Sequence, residues 1–328
     1  MNELLEKYGK RNEILIVNGF NFHYEVYGFI LEFCNKYNIE ATILCIGQHD
    51  EWNSIYKEKY KFNILTLPAD IDINTYLFVL LITDDDSIIN DNIINNNVVC
   101  IDHYYKNRRP SIKYHIPIIS FNDYMNKYIL PVYEYIDYNT KIELLSKNKR
   151  PIISFVGSST LPYCKDTLYK TINNIDDFDI YIISREIPKT TEFEELSKLP
   201  NVYVFEKIST KKLFKYLLSS NYMCYIPNKY NQNSIDQYNN IAMTSSLPIS
   251  FTCGCKLIYP SYLNKVLQLT SIVSYDEDSS ITLDIKPSII ATFQERDRLI
   301  ELRDKVIFNL DHMDIYKDII KKQEEYEK

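Results

Sequence analysis

The chain has 328 residues, too many for one core of ordinary size and comfortable for two domains of about 150 residues each. Apolar residues make up 45% and charged residues 25%, the balance of a globular protein, which excludes extended disorder. A net charge of −7 excludes a general nucleic-acid binder, which would carry a basic excess, while leaving room for a local basic pocket.

The N-terminal stretch "MNELLEKYGKRNEI" is charged and lacks the apolar core of a secretory signal. The longest apolar run, "YLFVLLI" at 76–82, is far too short to span a bilayer, so no transmembrane segment is expected. The seven cysteines include no CxxC pair; Cys253 and Cys255 are separated by Gly254 alone. Zinc spacing is absent, and the expectation is free thiols in a reducing, cytoplasmic compartment. Asn, Ile, Lys and Tyr are abundant while Gly (6) and Trp (1) are scarce, the usage of an A/T-rich genome. In that light "NDNIINNN" (90–97) reads as a surface loop.

In chain order, the first half offers strands at 14–19 (ILIVNG), 41–47, 63–68, 76–82, 98–104 and 116–121. Between the first two, Val26, Phe29, Ile30 and Phe33 recur at helical spacing. Strands that are apolar almost throughout belong to parallel sheets covered on both faces, so residues 1–135 are expected to form a Rossmann-like domain. The pattern breaks in "ILPVYEYIDYNT" (129–140), and a short helical stretch runs into "KNKR" (147–150), where the domain boundary is placed. A second series occupies 150–328. Its strands are expected at 151–156, 179–184, 201–207, 222–227 and 247–251. Helices are expected at 164–175, 191–199, 209–221, 234–246 and about 288–310, with Ser209 as an N-cap and Leu213, Phe214, Leu217 and Leu218 on one face. Right-handed crossovers make each series a doubly wound sheet. Two such sheets facing each other leave a cleft at their strand C-terminal ends, where ligands collect.

The second half narrows the class. "NVYVFEKISTKKLFKYLLSSNYMCYIPNK…IAMTSSLPISF" resembles the donor-binding domain of GT-B glycosyltransferases, most nearly the retaining, glycosyltransferase-4-like group. "AMTSSLPIS" (242–250) is similar to that group's small-residue turn and proline, "PIISFVGSST" (151–160) to its opening strand and phosphate-facing turn, and "VNGFNFHYEVYGF" to the glycine loop near its acceptor site. The resemblance implies a nucleotide-sugar donor used as substrate, no cofactor, a glycan or protein acceptor, and transfer with retention. In that register the family's two donor-contacting glutamates are replaced by Asn233 and Ile241, and the basic residue after the opening glycine by Ser158 and Ser159.

The candidate residues follow from this frame. Gly157, Ser158 and Ser159 lie between a strand and a helix, where unpaired N–H groups and the helix dipole favour a diphosphate. Arg185 follows strand 179–184 directly and Lys189 one turn later, both suited to neutralising a leaving nucleoside diphosphate. Lys207 ends strand 201–207, near where the family contacts the nucleobase. In "PNKYNQNSIDQYNN", Asn231, Asn233 and Ser234 can bond sugar hydroxyls without charge. On the acceptor side, Gly19 permits close backbone approach, and the stretch lacks a G-x-G-x-x-G dinucleotide fingerprint. His23, Asp102 and His103 are candidates for acting on an acceptor hydroxyl. Asp84, Asp85 and Asp86 read as a solvated loop, and no metal is expected. Two other readings stay open: a non-catalytic sugar-binding homologue, and a hydrolysing sugar-nucleotide epimerase, which would need converging acidic residues.

Overall fold

The computed structural model describes residues 11–19, 24–46, 50–66, 71–82, 98–102, 118–120, 130–157, 165–226, 246–262, 264, 268–276 and 279–308. The apolar runs of the first half become β1 (Glu13–Asn18), β2 (Glu40–Cys45), β3 (Asn63–Thr66), β4 (Phe78–Leu81), β5 (Val98–Asp102) and β6 (Ile118–Ser120). All six residues of β1 are buried, because β1 lies at the centre of the sheet. It pairs in parallel with β2 on one side and β4 on the other. The sheet order is β3-β2-β1-β4-β5-β6. Helix α1 (Tyr27–Lys36) follows β1, and α2 (Asp50–Lys57) follows β2.

The second half repeats the plan. Its strands are β7 (Ile152–Val156), β8 (Asp179–Ser184), β9 (Val202–Glu206), β10 (Tyr222–Cys224), β11 (Lys256–Pro260) and β12 (Val273–Tyr275). They pair in parallel in the order β12-β11-β10-β7-β8-β9. Counted from the first strand of each series, both sheets have third-second-first-fourth-fifth-sixth order. Each therefore reverses direction once, between β1 and β4 and between β7 and β10. Open α/β sheets hold ligands outside the strand carboxyl ends at such a point.

The helices of the second unit are α3 (Tyr138–Ser146), α4 (Lys165–Thr171), α5 (Thr191–Ser197), α6 (Thr210–Ser219) and α7 (Ser246–Thr252). Ser209 caps α6 as the sequence predicts, its hydroxyl accepting from Lys212 N at 3.3 Å. The other end of α6 is closed by a cation. Lys141, on α3, is wholly buried, and its ammonium donates to the carbonyls of Leu217 (3.1 Å), Leu218 (2.9 Å) and Ser220 (2.8 Å). They stand at the helix end that carries the negative end of the dipole, where Leu217 O also accepts from Ser220 N at 3.0 Å.

Two predicted features change. Residues 247–251, expected as a strand, lie in helix α7. Pro248 sits in its first turn, where a missing N–H costs nothing, and Ser250 Oγ donates back to Leu247 O at 2.7 Å. The strand follows later, as β11, after a turn at Gly254 with φ +63. A Cβ at that glycine would lie 2.6 Å from the Phe293 ring, so both backbone conformation and space require glycine.

The second change concerns the chain's division. The two compact units are Met1–Pro131 with Ile300–Lys328, and Val132–Leu299, whereas the sequence reading keeps 150–328 together. The long helix α8 (Ile290–Phe308) thus begins in the second unit, and its residues from Ile300 belong to the first. The reason is charge pairing. Arg303 is fully buried and donates to Glu32 Oε2 of α1 at 2.8 Å and to Asp304 Oδ1 at 2.6 Å; Lys36 Nζ reaches Asp304 Oδ2 at 2.7 Å. A buried guanidinium is tolerated only with such partners, and Glu32, the one outside α8, lies on α1.

Candidate functional site

The carboxyl edge of the second sheet is built by six strand ends. Gly157 follows β7; its N–H donates to Ile183 O at 3.2 Å, extending the β7–β8 ladder. That donor is engaged within the sheet. Beyond β8, Ser184 folds the chain back: its hydroxyl donates to Glu186 O at 2.6 Å. Arg185 stands at the tip of that bend, exposed, as is Lys189 further on. Lys207 follows β9 in a left-handed conformation, φ 49, and its N–H donates to Ser184 O at 3.0 Å. Arg185 and Lys207 therefore sit on neighbouring strand ends. The Lys207 ammonium lies 3.9 Å from Glu206, a solvent-exposed pair of little energetic weight.

Helix α6 starts at once after Lys207 and places exposed Lys211 and Lys212 in its first turn. Cations there oppose the helix dipole and cost a few tenths of a kcal/mol each, roughly. No Asp or Glu occurs from 207 to 235. Arg185, Lys207, Lys211 and Lys212 thus form a rim of four exposed cations along one sheet edge, with the exposed carboxylates Glu186 and Glu206 beside the first two. At the ends of β10, β11 and β12 stand three buried tyrosines, Tyr225, Tyr259 and Tyr275, with Tyr275 Oη donating to Tyr225 O at 3.0 Å. Burial pushes the Tyr225 phenol above its usual range, so it stays neutral.

The carboxyl edge of the first sheet is aromatic. Asn18, at the end of β1, is fully buried and donates to Tyr27 Oη at 2.9 Å; Gly19 next to it is buried. Tyr24, Tyr27, Trp52 and Tyr56 form one cluster, with ring centroids between 5.9 and 6.4 Å apart. Asp102 closes β5.

Of the residues proposed from sequence, the structure brings Arg185 and Lys207 together at one edge and puts Gly157 on the same edge. Gly19 and Asp102 end strands of the other sheet. His23, His103, Ser158, Ser159, Asn231, Asn233 and Ser234 lie outside the described residues, as do Asp84, Asp85, Asp86 and Ile241. Sequence reasoning passed over Lys211 and Lys212, although the Ser209 cap already located them in a first turn. It also passed over Trp52, because α2 was not predicted. Among the described residues no group of three or more His, Cys, Asp or Glu could hold a metal, and no helix is long and apolar enough to cross a membrane.

Two parallel, doubly wound sheets of identical strand order define an α/β protein with two Rossmann-like units. No family model matches the chain, and no curated protein matches it in sequence. Solved structures do match its fold. It is similar to the Anabaena protein Alr3699/HepE, crystallised with UDP-glucose, at a TM-score of 0.50 and 9% identity over 95% of this chain and 99% of that one. The glycosyltransferase AviGT4, involved in avilamycin A biosynthesis, matches at 0.50 and 9% identity over 94% and 96%. A candidate UDP-N-acetylglucosamine 2-epimerase of Listeria monocytogenes matches at 0.50 and 8% identity over 97% and 97%. The architecture is thus the GT-B fold that the second half of the sequence resembles. At such identities the likeness speaks for the fold alone.

Proposed function

We propose that the chain is a glycosyltransferase that takes a nucleotide-activated sugar on its second unit and transfers the sugar to an acceptor held by its first, with retention at the anomeric carbon. The observation that carries this reading is the cationic rim of Arg185, Lys207, Lys211 and Lys212 at the carboxyl edge of a switch-point sheet. An acidic chain has no folding reason to gather cations where a helix dipole already supplies positive potential. A donor diphosphate gives one. The fold shared with the Anabaena protein crystallised with UDP-glucose supports the same assignment.

In this reading Arg185 and Lys207 bind diphosphate oxygens and stabilise the charge that grows on the leaving nucleoside diphosphate. Lys189 and the Gly157–Ser159 turn complete the phosphate side, and Asn231, Asn233 and Ser234 read sugar hydroxyls. Gly19 lets the acceptor approach the backbone, and His23, Asp102 and His103 are the groups for its hydroxyl. The rest of the rate comes from holding two substrates in line. The test is turnover by the full chain with UDP-, GDP- and TDP-sugars and a panel of saccharide and peptide acceptors. Release of nucleoside diphosphate with a glycosylated product of unchanged anomeric configuration is expected. Donor bound but never consumed would leave a binding protein, and donor isomerised without acceptor would leave an epimerase.

A further inference from the structure

We propose that the acceptor is a neutral saccharide, held by stacking on Trp52 and Tyr24 at the carboxyl edge of the first sheet. The inference rests on the transferase reading for the donor half and names the acceptor class. Tyr24 follows β1, and Trp52 lies in the first turn of α2, after β2, so both residues come from connections that leave strand carboxyl ends, where open α/β sheets keep ligands.

The cluster is supported from beneath. Tyr27 and Tyr56 are 0% and 1% exposed, Tyr56 Oη donates to Tyr24 O at 3.0 Å, and Asn18 Nδ2 holds Tyr27 Oη. Trp52 stacks on Tyr56 with centroids 5.9 Å apart and planes 24° apart, and Tyr24 lies 6.4 Å from Trp52 at 45°. The two outer rings, unlike the two inner ones, are only half-buried. The single tryptophan of the chain is thus one of the two half-buried rings. A rigid, half-buried aromatic pair suits the C–H face of a pyranose ring, whose hydroxyls stay in water or meet nearby polar groups. Among the described residues the charge beside Trp52 disfavours an anionic ligand. Exposed Glu51 adjoins Trp52, and the only cation of α2 is Lys57, in its last turn, so a nucleotide or diphosphate would meet a carboxylate first.

Because Trp52 is unique, its emission reports this site alone. Full-length protein is titrated with maltotriose, cellotriose and chitotriose, and in parallel with a phenolic glucoside and with UDP-glucose. A saturable change in tryptophan emission with at least one oligosaccharide is expected, along with no change on UDP-glucose. Trp52→Ala should weaken that oligosaccharide at least tenfold, Trp52→Phe should restore most of the loss, and calorimetric binding of UDP-glucose should be unaltered in both. Emission that responds to none of the three oligosaccharides, or only to the phenolic compound, overturns the proposal without any variant having to fold. Failure of UDP-glucose to bind while an oligosaccharide perturbs Trp52 would instead remove the transferase reading and leave the saccharide site standing.

Discussion

Lys141 shows how one side chain can decide a helix end. Its ammonium serves three carbonyls inside the second unit, and the neighbouring Cys255 Sγ lies 3.7 Å away. Lys141→Met keeps the stem and deletes the donor. Leu217 O still accepts from Ser220 N and Ser220 O from Cys255 Sγ, while Leu218 O loses the ammonium; an unmatched buried acceptor costs roughly 1–3 kcal/mol, and the variant should lose about that much. Urea unfolding of the two proteins measures this; an unchanged midpoint would show that the ammonium is dispensable. Cys34 gives a prediction with a sign. Burial pushes its thiol from 9.0 up to about 12, against a smaller opposing pull from Arg303. The native chain thus keeps the thiol neutral in a range where the unfolded chain ionises it. The resulting stability is complete below about 9.0 and is lost as the pH climbs toward 12. Cys34→Ala should lower the melting temperature at neutral pH yet flatten its fall across that alkaline window. A parallel fall in both proteins would assign the alkaline limb to other groups.

At the scale of elements, the proposed function places its weight on α6 and on the strand ends at Arg185 and Lys207. Arg185→Ala and Lys207→Ala should each weaken donor binding about tenfold, roughly 1.4 kcal/mol, with little change in folding stability because both side chains are exposed. Calorimetry with UDP-glucose tests this, and full affinity in the double variant would empty the rim of its assigned role. The elements differ in how plainly the sequence announces them. The buried strands read directly, because a parallel strand covered on both faces must be apolar throughout, and "ILIV" and "FVLL" leave no other periodicity. Helix α6 was legible from its Ser209 cap and its Phe214–Leu217 face. Helix α7 was not, because "LPISF" is apolar, short and contains a proline, features that a buried strand and a buried helix share. Its end is set by the Gly254 turn held against Phe293, which is a tertiary matter.

For the whole molecule, the two-sheet plan was readable from alternating strands and helices, but the fate of the tail was not. Residues 290–308 give a helical pattern either way. That the part from Ile300 joins the first unit depends on Arg303 meeting Glu32 some 271 positions away. No local pattern encodes such a pair. The site was legible to the same degree: Arg185 and Lys207 could be placed at strand ends from sequence. That their strand ends adjoin needed the β8–β9 register, which sets Ser184 opposite Glu206. The central claim is that a nucleotide-sugar occupies the carboxyl edge of the second sheet. Amide hydrogen exchange of the full chain with and without saturating UDP-sugar tests it most directly. Slower exchange is predicted for the segments around Arg185, Lys207 and Ile226, with no change at the opposite strand ends, Asp179 and Val202. Protection confined to Met1–Pro131, or none under conditions where calorimetry shows binding, would contradict it.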